Sequence, residues 1–110
     1  MARAYLIKKG YKILAANYKT SFGEIDIIAQ KDEKIIFTEV KANKTEYIGS
    51  FNPEIRVNPK KKNKLIQLAT AYLKNNNLVE SAWQIDVISV TFNFESSKAY
   101  IKHFKNTVIV

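Results

Sequence analysis

The segment from Glu24 to Ala42 constrains this chain more than any other. Two β-rich runs, Glu24–Gln30 and Ile35–Ala42, flank the polar quartet Lys31-Asp32-Glu33-Lys34. In extended strands successive side chains point to opposite faces, so each run carries two distinct sets of residues. A hairpin folded between Asp32 and Glu33 pairs residues whose numbers sum to 32 + 33 = 65. One face then stacks Ile25, Ile27 and Ala29 against Val40, Thr38 and Ile36. The other sets Asp26 opposite Glu39 and Glu24 opposite Lys41, with Ile28 and Phe37 on the same side. A slip of one residue mixes the two sets, so the apolar pattern selects this register.

The rest of the chain supplies elements around the hairpin. Ala2–Lys9 reads as a short helix that Gly10 terminates. Tyr11–Tyr18 reads as extended, and Ser21-Phe22-Gly23 as a turn. Asn43–Arg56, broken by Gly49 and Pro53, reads as a loop. Asn58 followed by Pro59 is a helix start, and Leu65, Leu68, Ala69 and Tyr72 recur at helical spacing as far as Leu73. Asn75-Asn76-Asn77 ends that helix. Gln84–Phe92 and Ala99–Phe104 are strand-like, joined by a polar turn near Glu95–Lys98, and Thr107–Val110 is either an edge strand or a tail. The order α-β-β-β-α-β-β implies one α/β domain over residues 1–110, a mixed sheet flanked by helices.

Composition removes several chemistries. With no Cys there is no disulfide framework, thiolate metal site or cysteine nucleophile. A single histidine, His103, cannot build a multi-histidine zinc site, and Gly10, Gly23 and Gly49 are too scattered for a phosphate-binding glycine loop. No apolar run is long enough to suggest a membrane span or export signal, so a cytoplasmic protein is expected. Eighteen Lys and Arg against ten Asp and Glu leave a net charge of +8, which favours a polyanionic partner.

Two clusters carry candidate chemistry. Asp26, Glu39 and Glu24 with Lys41 gather carboxylates and an ammonium on one strand face, where directly opposed like charges destabilise a sheet unless neutralised. A hard divalent cation would neutralise them, and a lysine beside it would stabilise charge on a phosphate. The same spacing also fits a solvated strand face with an ordinary Glu24–Lys41 ion pair. Arg56, Lys60, Lys61, Lys62 and Lys64 crowd the start of the second helix, although a helix N-terminus disfavours positive charge. A phosphate backbone would be gripped there, whereas a plain lysine-rich surface is the bland alternative. Gln84 and Asp86 share a strand face and would extend the polar site or serve structural hydrogen bonds. His103 reads as a polar strand residue without an evident orienting partner, and Tyr5, Tyr11, Tyr18 and Tyr72 as packing residues.

Several runs together resemble the YraN family of small bacterial proteins. They are Gly10-Tyr11-Lys12-Ile13-Leu14 with Asn17, Gly23-Glu24-Ile25-Asp26-Ile27-Ile28-Ala29, Phe37-Thr38-Glu39-Val40-Lys41, Val57-Asn58-Pro59-Lys60-Lys61 and Ile85-Asp86-Val87-Ile88. The resemblance implies a restriction-endonuclease-like fold of the PD-(D/E)xK type, similar to Holliday-junction resolvases. It matches Asp26 to the first metal-binding acid and Glu39 with Lys41 to the E-x-K pair, and sets Glu24 in the family's GEID signature. Lys61 matches a lysine recurring at the start of the following helix. The activity implied is cleavage of DNA, including branched DNA, with Mg²⁺ or Mn²⁺ held by Asp26, Glu39 and the Val40 carbonyl. A homodimer is implied by analogy with the resolvases. Family members carry a longer N-terminal helix bearing a glutamate, so the start at Met1-Ala2-Arg3 implies a shortened one. The alternative is a nucleic-acid-binding module of the same fold that does not hydrolyse.

Overall fold

The computed structural model describes residues 1–44, 59–93 and 95–106. The elements run α1 (Ala2–Lys8), β1 (Lys12–Thr20), β2 (Gly23–Lys31), β3 (Lys34–Lys44), α2 (Pro59–Asn75), β4 (Ala82–Asn93) and β5 (Lys98–Phe104). This is the α-β-β-β-α-β-β order read from the sequence. The expected Asn43–Arg56 loop (beyond Lys44), the Asn58 cap and Thr107–Val110 lie outside the described residues.

The five strands form one sheet in the order β1-β2-β3-β4-β5. Every neighbouring pair is antiparallel except β3 and β4, which run parallel, so the chain between them must cross over, and α2 lies in that crossover. One face packs Ile28, Ile35, Phe37 and Ile85 against Leu65, Leu68, Ala69, Tyr72 and Leu73 of α2. The other packs Ile27, Ala29, Ile36 and Ile88 against Ala2 and Leu6 of α1 and against Tyr11. A fold with helices on both sides of a mixed sheet is the restriction-endonuclease-like arrangement.

Both helices end in the same way. After α1, the Gly10 N–H donates to Ile7 O at 3.0 Å and the Tyr11 N–H to Leu6 O at 2.9 Å. Gly10 sits at φ +92°, where a residue with a Cβ is strained. After α2, Asn77 takes the left-handed position at φ +58°, while the Leu78 N–H donates to Leu73 O at 2.8 Å. Asparagine replaces glycine there because it tolerates this conformation better than other side chains.

The hairpin register follows the sum of 65 for Ile27↔Thr38, Ile28↔Phe37, Ala29↔Ile36 and Gln30↔Ile35. It then stops. The β2–β3 pairing does not extend to Asp26 and Glu39, although both strands continue. On the other side, β1 pairs with β2 through Ala16↔Ile27 and Tyr18↔Ile25, stepping over Asn17 and Asp26. Asn17 has φ +53°, so β1 is irregular directly across from Asp26. Alternation breaks at this point, because Ile25 joins Ile28 in the core under α2 while Ile27 packs on the α1 side. The expected stacking of Ile25 on Val40 is therefore corrected. The reason is that the kink at Asp26 turns Ile25 to the opposite face.

Phe37 centres the larger core, 1 % exposed, with its ring edge-on to Tyr72 at 5.9 Å and to Trp83 at 5.8 Å. Phe37→Ala is expected to lower the unfolding free energy by about 3–5 kcal/mol, as large-to-small changes in close-packed cores do. Urea denaturation followed by circular dichroism measures this, and a loss below about 1 kcal/mol would mean the site collapses around the void.

Candidate functional site

Where β2 and β3 part, the backbone of β3 needs new hydrogen-bond partners, because a buried N–H left unpaired is costly. Asp26 supplies one. Its Oδ2 accepts the Val40 N–H at 2.7 Å, a short charge-assisted bond in place of a ladder bond. This fixes the Asp26 carboxylate against β3, one residue from Glu39. It also shows the Val40 backbone acting on the acid through its N–H.

Glu39 lies on the α2 side of β3, the face that also carries Ile35 and Phe37. Its side chain is 14 % exposed, and its Oε2 lies 3.3 Å from Lys61 Nζ in the first turn of α2. Its carboxyl pKa is raised above the ordinary value. Burial is the largest cause, the Asp26 charge and a hydrogen bond with Asp26 add to it, and Lys61 opposes it. Asp26 and Glu39, with Glu24, Lys61, Lys64, Leu65 and Leu68, line a cleft of about 240 Å³.

Several expectations are corrected by this geometry. Glu24 does not face Lys41: it is exposed and lies 3.9 Å from Lys19 on β1, as far as an ion pair reaches. Lys41, half-buried, follows Glu39 on the same face of β3 and stands beside Ser89 of β4. The cause is the same parting of β2 and β3, which ends the register that would oppose Glu24 and Lys41. Among the described residues there is no group of three carboxylate, histidine or cysteine side chains placed to share a metal ion, so the acidic cluster reduces to the pair Asp26 and Glu39. At the helix start Lys60 and Lys64 are exposed, Lys61 and Lys62 half-buried, and Arg56 lies outside the described residues.

Gln84 and Asp86 do not extend this cleft. Glu39 stands beside Val87, so Asp86, which stands beside Thr38, points to the α1 side of the sheet. There Asp86 is fully buried and accepts from three donors: Gln84 Nε2 at 2.9 Å, the Asn106 N–H at 2.8 Å and His103 Nε2 at 2.7 Å. The Tyr5 hydroxyl of α1 reaches His103 Nδ1 at 3.2 Å. With Nε2–H donating to Asp86 and Nδ1 accepting from Tyr5, every group in the chain is satisfied. The His103 side chain is only 5 % exposed, so the network braces β4, β5 and α1 from within. Burial and the Asp86 charge push the adjacent Tyr11 hydroxyl above its usual pKa.

Sequence reasoning missed two of these pairings. Lys61 continues the core stripe of Leu65, Leu68, Ala69 and Tyr72 by one turn, and that spacing was the available signal that it faces the sheet. His103 meets Asp86 only through the β4–β5 register, which places Ile88 opposite His103.

The element order and mixed sheet define a restriction-endonuclease-like α/β domain. Within that class the chain belongs to the uncharacterised protein family UPF0102, which matches residues 1–90 and is the YraN family of the sequence resemblance. It is 46 % identical over 110 residues to a UPF0102 protein of Fervidobacterium nodosum, covering 96 % of this chain and 74 % of that one. A UPF0102 protein of Syntrophomonas wolfei is 40 % identical over 106 residues, 96 % of this chain and 89 % of its own length. One from Clostridium perfringens is 40 % identical over 106 residues, covering 96 % and 85 %. Among the described residues no helix is long and apolar enough to cross a membrane.

The raised pKa of Glu39 gives a stability test. Between the ordinary value of 4.5 and the higher folded value the native state holds more protons than the unfolded state, so stability falls as pH rises through that window. Glu39→Gln removes the charge but keeps the shape. In metal-free buffer it is expected to be more stable than wild type at pH 7, with the gain shrinking towards zero below pH 4.5. Urea titrations at both ends of the range measure this, and a variant less stable than wild type at pH 7 would contradict it.

Proposed function

We propose that this protein is a metal-dependent endonuclease acting on DNA, including branched DNA. The observation that carries the reading is the convergence of Asp26 and Glu39 where two strands separate, beside the lysine-rich start of α2.

The donor set suits a hard divalent cation. Two oxygen ligands from adjacent strands match Mg²⁺ or Mn²⁺, which are commonly held by one or two carboxylates and waters. The crowded pair, with Glu39's pKa raised by burial and by Asp26, is the electrostatic condition that such an ion relieves. Asp26 and Glu39 would hold the ion, with the Val40 carbonyl as a third oxygen. A bound cation would supply Lewis-acid stabilisation of charge on the phosphate and a more acidic water.

The protein's own groups take the remaining roles. Val40's N–H holds the Asp26 carboxylate in one orientation. Lys41, on the face of Glu39, orients the attacking water or stabilises the negative charge that develops on the phosphate. Lys61 pairs with Glu39 in the free protein and turns to the substrate phosphate when the carboxylates are otherwise engaged. Lys60, Lys62 and Lys64 grip the flanking backbone, a contribution that weakens with salt.

A second reading keeps the fold and nucleic-acid binding but not hydrolysis. It is favoured by Lys61 already balancing Glu39 and by the reduction of the acidic cluster to two carboxylates.

Incubation with four-way-junction, flap and linear DNA in Mg²⁺ or Mn²⁺ distinguishes the two. Cleavage of at least one substrate is expected, with a loss of about 100-fold or more in Glu39→Ala and Asp26→Ala. Equal background cleavage by wild type and variants, together with salt-sensitive DNA binding, would select the binding module.

A further inference from the structure

Beside the carboxylate cleft lies a second depression that the reading above does not use. It has a volume of about 450 Å³ and is lined by Tyr18, Thr20, Phe22, Gln67, Leu68, Ala71 and Asn75. Leu68 is shared by the two, forming the wall between them. Gly23 closes that wall from the strand side: a Cβ there would lie 3.5 Å from Lys64 Cδ and 3.6 Å from Leu68 Cδ1.

Phe22 is the unusual member. It sits at the tip of the β1–β2 turn and is 66 % exposed. Its ring is not simply left on a loose loop, because the Phe22 N–H donates to Thr20 Oγ1 at 3.0 Å and pins the turn. The second aromatic wall, Tyr18, is fixed edge-on against Tyr72 at 5.3 Å. Two carboxamides, Gln67 and Asn75, stand among the apolar lining residues, and among the described residues no acidic side chain lines the depression. On α2, Lys60, Lys64, Leu68, Ala71 and Asn75 recur at three- and four-residue steps, so one helix stripe runs from exposed lysines to this depression.

We infer that this depression is a slot for one unpaired nucleobase, with the adjoining phosphate over Lys64. Aromatic walls accept any base by stacking, and carboxamides match the mixed donors and acceptors of a base edge. The lysine stripe supplies charge complementarity to a nucleic-acid strand and none to a basic or neutral partner. A paired base in a duplex cannot enter, so the slot confers preference for DNA with single-stranded or splayed segments. The inference rests on the nucleic-acid reading above and names the substrate feature that site would favour.

The test uses fluorescence anisotropy with a fluorescein-labelled poly-dT oligonucleotide and a labelled blunt duplex. Wild type is expected to bind both. Phe22→Ala is expected to lose about 5- to 150-fold in affinity for poly-dT, the range for one stacked base, with duplex affinity unchanged. Phe22→Trp is expected to restore poly-dT binding and to show quenched emission when the oligonucleotide is added. Since Phe22 is exposed, circular dichroism of both variants should match wild type. Unchanged poly-dT binding by Phe22→Ala, or an equal loss on both DNAs, would overturn the slot while leaving lysine-driven binding intact. A wild type that binds neither DNA would overturn the underlying reading and the slot with it. A changed sedimentation coefficient for Phe22→Ala without any effect on poly-dT would assign the surface to a second copy of the chain and overturn the inference.

Discussion

The hydrogen bond from the Val40 N–H to Asp26 Oδ2, at 2.7 Å, is the interaction on which the site depends. In a regular hairpin the register would set Asp26 against Glu39 and bind their strands together. Here the side chain of one strand takes over a backbone bond of the other, and the strands part without leaving that N–H unsatisfied. The irregularity of Asn17 on β1, at φ +53°, lies across the same residue, so Asp26 is released from regular pairing on both sides. A cleft opens at a sheet interior, a place where strands are otherwise held shut.

The two faces of the sheet handle buried charge differently. On the α1 side, Asp86 is fully buried and meets three donors, from Gln84, Asn106 and His103. Asp86 itself is wholly buried and fully partnered, which is how a structural brace looks. On the α2 side, Glu39 is held beside a second carboxylate and balanced by one half-exposed lysine, with its pKa pushed up by burial. Charge there remains open to a further cation or phosphate. Incomplete neutralisation, more than the count of acidic residues, separates the candidate site from the scaffold.

Much of this was legible in the sequence. The hairpin alternation located the register to the residue from Ile27 to Gln30, since a slip would bury polar groups. Helix punctuation by Gly10, Pro59 and Asn77 followed from backbone preference alone. The same register also set Asp26 directly opposite Glu39, whereas the ladder ends before that pair and both instead line one cleft. What was not legible is where the ladder ends, because that depends on a side chain replacing a backbone partner. The pairing of Lys61 with Glu39 comes from how α2 seats on the sheet, a long-range contact with no local signal beyond its helical stripe. Asp86 and His103, 17 residues apart, meet for a similar reason, through the β4–β5 pairing.

An anomalous-difference map of crystals soaked in Mn²⁺ addresses the central claim most directly. A peak between the Asp26 and Glu39 carboxylates, with Lys61 moved off Glu39, is the predicted result. A map without density there, the Lys61–Glu39 pair undisturbed at saturating Mn²⁺, would contradict the account and leave the parted strands as a structural feature alone.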